Sequence, residues 1–431
     1  MTGYRRLARN HDFAALWIGQ TVSELGSRVS MFVFPLIAFA LTGSAMVAAL
    51  AEALHLLGLT ATLLPAGVLA DRLDRRRLMR FASGAGVVLY ASLALAALGD
   101  RLTISHLLVV ALLTGVGAGL FAPAEISAVR AVVPAEDLPA ALSQNQARQH
   151  VASLLGAPLG GVLYGVARWA PFLTDAVSFA VSWVLLGRIR ADLSAPAYDG
   201  PRQRVREGLR EGFEFIWTRP FFRVLMVWAA LGNLVVNALF FVAILRLIQG
   251  GFHPFQIGLV DTAAGVFGIL GAIAAPWLID RVATGRLTVT VAWSFVPLVV
   301  PMVLWNNPAV VAIALSFGLF LNPAGNAGIG AYRIAVTPPD LIGRVQSSTQ
   351  FTSMSVMPLA PVLAGALLSG LGGPAAIAVL GALAAGVALV PTLSRSVRSV
   401  PRPAEWERGD GSSARERPIE RARAHDPSPA L

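Results

Sequence analysis

The chain has no cysteine and no lysine, and little charge of either sign: 13% of its 431 residues are charged, against about 25% in an ordinary soluble domain. Without cysteine there are no disulfides, thiolate metal sites, iron–sulfur clusters or cysteine nucleophiles. Without lysine there is no Gly-Lys-Ser/Thr phosphate loop, which argues against ATP-driven work by this chain alone. No paired His or Asp cluster marks one interface, as an integral-membrane enzyme would require, so that reading is remote and neither a metal nor another cofactor is expected. What remains is apolar. Hydrophobic residues make up 55% of the chain, and the 34 basic residues, all arginine, give a net charge of +10. The arginines fall between apolar runs rather than on one soluble face, which speaks for membrane topology and against nucleic acid.

A helix crossing the bilayer needs about 20 largely apolar residues. Twelve such stretches run near 14–40, 46–69, 79–98, 104–128, 141–166 and 170–187, then 221–245, 254–279, 287–304, 308–331, 347–369 and 373–394. The first is too long, and followed by too many others, for a removable signal peptide. Arg101, Arg168 and Arg246 lie in the short connections and Arg28 and Arg148 inside spans. The other 29 of the 34 occupy the tails, the longer loops and, for Arg80 and Arg223, the first turn of the span that follows such a loop. The positive-inside rule then puts both termini in the cytoplasm, as an even number of spans requires.

The chain divides into 1–187, a linker 188–220, 221–394 and a polar tail 395–431 that reads as disordered. Within the linker, 205–217 places apolar residues between arginines and reads as an amphipathic helix on the inner leaflet. A shift of 209 carries Phe13, Leu69, Asp71 and Arg72 onto Phe222, Leu278, Asp280 and Arg281. A shift of 203 carries Arg130, Asp137, Leu138 and Pro158 onto Arg333, Asp340, Leu341 and Pro361. Two six-span halves thus follow one plan. Parallel halves of this kind hold a binding site between them near the bilayer midplane and rock around it.

Between spans two and three stands Gly67-Val-Leu-Ala-Asp71-Arg72-Leu-Asp74-Arg75-Arg76-Arg77. With Asn10-His-Asp-Phe13 before span one, Ser23 and Gly26 within it, Val133-Pro134 and Asp137-Leu138 before span five, and Gly156-Ala-Pro158-Leu-Gly160-Gly161 within it, the chain resembles the major facilitator superfamily over roughly 10–395. Asp74, standing where the general loop pattern has its second glycine, is similar to the drug:proton antiporter branch with macrolide exporters and the enterobactin exporter. The resemblance implies an all-α fold of twelve transmembrane helices in two pseudo-symmetric bundles, working as a monomer. It also implies a latch in which Asp71 meets the N-terminus of span eleven, where the helix dipole favours an anion, with Gly67, Arg72, Arg75 and the repeat partners Asp280 and Arg281 in the same device. Gly156, Gly160 and Gly161 allow close helix approach, and Pro158, with its counterpart Pro361, bends a span.

Ionisable groups at depth cost about 2.5–3.5 kcal/mol each on insertion scales and are functional candidates by default. As proton carriers the order of preference is Glu24, Glu52, Asp261 and Glu125, with Glu24 first because it is nearest mid-span on a helix that lines the cavity in the resembling family. Arg28, His55 and Arg148 are ion-pair or relay partners, Glu24 and Arg28 having the favourable i,i+4 order. Asp175 lies close to Pro171 at an outer end, where water would reach it. Gln20, Asn233, Asn237, Asn322 and Asn326 would line the cavity, with Phe121, Phe240, Phe241, Phe320 and Tyr332 as aromatic walls. Such a lining suits a bulky hydrophobic molecule rather than a sugar or phosphate.

The expected function is therefore a proton-coupled exporter of drug-like or natural-product molecules in a bacterial cytoplasmic membrane, or of a siderophore or endogenous secondary metabolite. One proton crossing 100 mV releases about 2.3 kcal/mol, enough for roughly a fifty-fold gradient of a neutral substrate. Asp71→Asn is expected to abolish transport with expression retained; full activity in vesicles would remove the latch.

Overall fold

The computed structural model describes residues 6–7, 9–70, 73–194, 205–339 and 341–406. The spans are His11–Thr42, Ala45–Ala70, Arg75–Leu98, Ile104–Val132, Leu138–Val166 and Ala170–Arg188 in the first half. In the second they are Pro220–Gln249, Pro254–Arg281, the pair Thr284–Trp293 and Val299–Leu304, the pair Pro308–Phe320 and Asn322–Ala335, the pair Ile342–Val356 and Leu359–Leu371, and Gly373–Leu393. Ten of the twelve are long and apolar enough to cross a membrane by composition. Span five falls short because its first turns carry Gln144, Asn145, Gln146, Arg148 and Gln149. Span nine falls short because it is broken. Pro297 lacks an N–H and its ring crowds the carbonyl of Trp293, where the first piece ends.

Short turns close the end of the bundle far from the chain termini. Gly43 caps span one in the left-handed region at φ 67°, donating its N–H to Phe39 O. At the terminal end, polar side chains tie the elements together. Asn10 caps span one by accepting from Asp12 N and Phe13 N, and its amide donates to Val132 O at 2.7 Å. The Asp12 carboxylate accepts from Arg190 N and Ala191 N at 2.9 and 2.8 Å, and Arg6 pairs with Asp137 at 2.6 Å. Asp74 caps span three by accepting from Arg76 N, which gives a local reason for a carboxylate at that motif position. Arg75 donates to Ser194 O. Asp71, Arg72, Asp340, the linker 195–204 and the tail 407–431 lie outside the described residues.

The linker helix Val205–Thr218 forms, but the part of its apolar face made by Phe215 and Ile216 is buried against Phe222, Met226 and Val345 of spans seven and eleven. Glu211 pairs with Arg344 of span eleven. Protein takes up that part of the face, while Trp217 stays exposed.

The apolar core is distributed unevenly between the two ends. At the far end one cluster joins both halves, from Val33, Phe34 and Ala49 on one side to Leu239, Val260 and Ala364 on the other. At the terminal end the clusters are separate: Phe13, Leu16, Met79 and Leu186 in the first half, and Phe222, Met226 and Val345, or Leu287 and Ala324, in the second. The far-end seam is built on missing side chains. A Cβ on Gly258 would stand 2.5 Å from Ala157 O, one on Gly161 2.7 Å from the backbone of Phe255, and one on Gly365 2.7 Å from Ala49 Cβ. Thr262 donates across the seam to Leu154 O at 2.8 Å. Near the terminal end, a recess of about 290 Å³ between Thr60 and Leu63 of span two and Gln346, Gln350 and Met354 of span eleven separates the halves. The bundle is closed at the far end and open at the end bearing the termini.

Overpacking a tight contact costs about 1–3 kcal/mol, so Gly258→Leu should disfavour this closed seam. With no native cysteine to mask it, Ala264→Cys, at a cavity between the halves behind this seam, should in the Gly258→Leu background react with an impermeant maleimide added on the side away from the termini. Labelling equal to Ala264→Cys alone would show that the seam does not close the cavity.

Candidate functional site

Span one carries Glu24 and Arg28 one turn apart, and Arg28 Nε and Nη2 both meet Glu24 Oε1 at 3.0 Å. The backbone of span five comes against them because Gly156 has no side chain to hold off Arg28. On span five Arg148 pairs with Glu125 of span four at 2.7 Å, with the Arg148 side chain only 2% exposed. Glu24 and Glu125 are near enough for their charges to interact. These four side chains form a balanced quartet of two cations and two anions within the first half.

Glu52 and Asp261 are different. Both line a cavity of about 310 Å³ between the halves, together with Arg28, Met31, Phe32, Phe240, Phe241 and Leu319. The two carboxyls interact across the interface, and Arg28 is the cation that reaches Glu52. Asp261 Oδ1 is buried without a hydrogen-bond partner. Arg28 is already engaged by Glu24, so the cavity holds more carboxyl than guanidinium charge to compensate. Burying an uncompensated charge is costly, so this is where proton uptake or a bound cation would be favoured.

The structure separates the residues singled out from the sequence. Glu52, Asp261, Arg28, Phe240 and Phe241 come together at the cavity. Gln20 instead turns into the first half, donating to Ser182 Oγ at 3.1 Å. Asn237 donates to Asn233 O, and Asn326 bonds Asn322 along span ten; none of the four lines the cavity. Tyr332 packs on Phe221 and Trp406 at the terminal end. His55 Nδ1 faces Thr114 Oγ1 at 3.3 Å inside the first half. Arg281 stacks over Trp277 with its guanidinium 4.4 Å from the ring. Gly160 lies against Val29 O, and Pro361 is buried in span eleven. Asp175 corrects the reading of a water-reached outer end. It is 0% exposed, because span one closes over it at Gly26, where a Cβ would stand 2.5 Å from Asp175 Oδ1. The sequence signals missed Met31, Phe32 and Leu319, since apolar cavity walls and apolar packing look alike. Among the described residues no group of three or more His, Asp or Glu could hold a metal ion.

The comparisons give the family. The chain belongs to the Major Facilitator Superfamily, whose profile matches residues 16–357; it is a multi-pass membrane transporter, not an enzyme. It is 26% identical to the multidrug efflux pump Tap of Mycolicibacterium fortuitum over 379 residues, covering 84% of this chain and 88% of that protein. It is 27% identical to macrolide efflux protein A of Streptococcus pyogenes over 157 residues, 36% of this chain and 38% of that protein. Among solved structures it shares its fold with a bacterial homologue of the iron transporter ferroportin in an inward-facing state, at a TM-score of 0.68 and 18% identity, covering 90% of this chain and 98% of that one. The nucleoside transporter NupG superposes at 0.69 with 10% identity, covering 90% and 98%.

Removing one partner of a buried pair costs about 3–5 kcal/mol, because the other charge is stranded. Arg148→Met should therefore lower the thermal unfolding midpoint in detergent, and adding Glu125→Gln should restore most of the loss. Equal midpoints for the single variant and the parent would dissolve the quartet.

Proposed function

We propose that this chain exports bulky, hydrophobic drug-like or natural-product molecules in exchange for protons, by alternating access around the cavity between its halves. One observation carries the reading: Glu52 and Asp261 sit in the seam itself, amid aromatic and aliphatic walls, while Glu24 and Glu125 are each paired with an arginine. Efflux relatives support the direction. The arginine-rich loops put both termini in the cytoplasm of a bacterial cell, which makes the open end inward-facing, and one copy of the chain suffices.

In this reading the carboxyls of Glu52 and Asp261 are the groups that exchange protons as the cavity opens to each side in turn. Arg28 sits between Glu24 and Glu52, so its charge compensates whichever of the two is ionised. The apolar wall of Phe32, Phe240, Phe241 and Leu319 supplies contact area without demanding fixed hydrogen bonds, which suits varied substrates. The Asp71 latch and the packing glycines of span five belong to the same cycle. Glu24 passes from first choice to a partner of Arg28.

The test is accumulation of a macrolide and of a lipophilic fluorescent dye in proteoliposomes under an imposed pH gradient. The parent should concentrate at least one of them, and Glu52→Gln and Asp261→Asn should each cut gradient-driven accumulation ten-fold or more while binding persists. Accumulation that survives collapse of the gradient by an ionophore would overturn proton coupling. Unchanged flux in both variants would overturn the assignment of the carriers.

A further inference from the structure

The quartet and the seam leave unused a carboxyl deep within a span. Asp175 sits in span six, inside the first half rather than at the cavity, and is 0% exposed. Its Oδ1 accepts from the Ser178 hydroxyl at 2.9 Å, and its Oδ2 is buried with no close hydrogen-bond partner. Each element packed against it contributes neutral groups. Span one presents Gly26 and Ser30, whose hydroxyl is 0% exposed and lacks a close partner. Span three presents the phenol of Tyr90, its ring held between Phe34 and Phe179. The charges of span one, Glu24 and Arg28, meet each other, and Arg148 of span five meets Glu125. No cation among the described residues forms an ion pair with Asp175. An unsatisfied buried carboxyl oxygen calls for an explanation, and an ionisable group in the membrane is a functional candidate by default.

The surroundings of Asp175 lead somewhere. The Tyr90 hydroxyl lies within electrostatic reach of Asp175, Ser30 and Thr114 of span four. Thr114 Oγ1 faces His55 Nδ1 at 3.3 Å. His55 stands one turn beyond Glu52 on the same face of span two, and Glu52 opens onto the central cavity. Tyr90, Thr114, His55 and Glu52 are all buried. A line of exchangeable groups thus runs from Asp175 to the cavity through the interior of the first half.

We propose that Asp175 is a second proton-binding site of this transporter, reached from Glu52 through His55, Thr114 and Tyr90. A proton arriving from Glu52 on one nitrogen of His55 releases the proton on the other to Thr114. Thr114, whose hydroxyl in this conformation donates to Ala111 O at 3.0 Å, turns its proton to Tyr90, and Tyr90 passes its own to the Asp175 carboxylate. Every relay group ends with as many protons as it began with, Glu52 is left as the carboxylate and Asp175 as the acid. The transfer leaves an anion on Glu52 at the cavity for Arg28 to compensate, without any proton crossing the seam. The role rests on the proton-coupled reading above, with Asp175 as a store beside Glu52 rather than a substrate contact.

Two measurements separate the two claims. In pH-titrated infrared difference spectra of the purified full chain, the carbonyl stretch of a protonated carboxyl should vanish in Asp175→Asn and titrate with a shifted midpoint in Tyr90→Phe. In proteoliposomes the pH profile of gradient-driven dye accumulation should shift in Asp175→Asn, Tyr90→Phe and Thr114→Val, with Ser127→Ala as an unrelated control. If Asp175→Asn does not fold, Tyr90→Phe and Thr114→Val interrupt the same line with Asp175 intact. Parent-like spectra and pH profiles in the variants that fold would overturn the proposal even where Glu52→Gln abolishes coupling. An Asp175 band that titrates in a parent whose transport ignores the gradient would overturn the proton-coupled reading and the relay with it, leaving only a titrating carboxyl.

Discussion

The bilayer interior offers no water to a charge, and that constraint arranges the ionisable part of this molecule. An isolated carboxylate or guanidinium at depth has to find a partner, become neutral or face a cavity that water can enter. Glu24 with Arg28, and Glu125 with Arg148, take the first course. Glu52 and Asp261 take the third, at the junction of the halves. The quartet holds spans one, four and five of the first half together, while the carboxyls of the seam stand where the two halves must move relative to one another. The paired charges and the cavity carboxyls therefore lie on different helices: spans one, four and five for the pairs, spans two and eight for the cavity.

A second constraint follows from motion. Halves that rock must meet on surfaces that part cheaply, and in lipid no hydrophobic force drives helices together. The far-end seam meets this with small residues and backbone contact: Gly161 against Phe255, Gly258 against Ala157, Gly365 against Ala49. One cross-seam hydrogen bond, Thr262 to Leu154 O, adds direction. The terminal end relies instead on ties within each half, such as Asn10 to Val132 O and Arg344 to Glu211. Each half is thus braced internally where the cleft opens. The prolines of the second half act in the same sense: Pro297 breaks span nine, and Pro323 and Pro358 lie at the breaks of spans ten and eleven.

The course of the chain was legible in the sequence because bilayer thickness and arginine placement are one-dimensional signals. The rotation of each helix about its own axis was not legible. In a soluble protein the apolar face marks the core, but here lipid and core are both apolar, so hydropathy does not say which way Glu24 or Glu52 points. The i,i+4 spacing of Glu24 and Arg28 announced a pair, yet not that the pair would leave Glu52, one helix away, as a buried carboxyl lining the cavity. Gln20 shows the same ambiguity, with Ser182 rather than substrate as its partner.

Asp175 carries this lesson further. Its sequence distance from Pro171 suggested an interfacial position, but helix ends are not membrane surfaces when a neighbouring backbone lies against them. Gly26, noticed only as part of a scattered family resemblance, is the residue that lets span one cover the carboxyl. A methyl group there would collide with Asp175 Oδ1 and Ser178, so glycine and carboxyl are meaningful only together. A purely structural hydrogen bond at that depth would be served by an amide or a hydroxyl without the risk of ionisation. A carboxyl with one oxygen unsatisfied beside a buried phenol is a poor brace and a serviceable proton site. Its distance from the seam then keeps its titration away from the surfaces that part as the halves move.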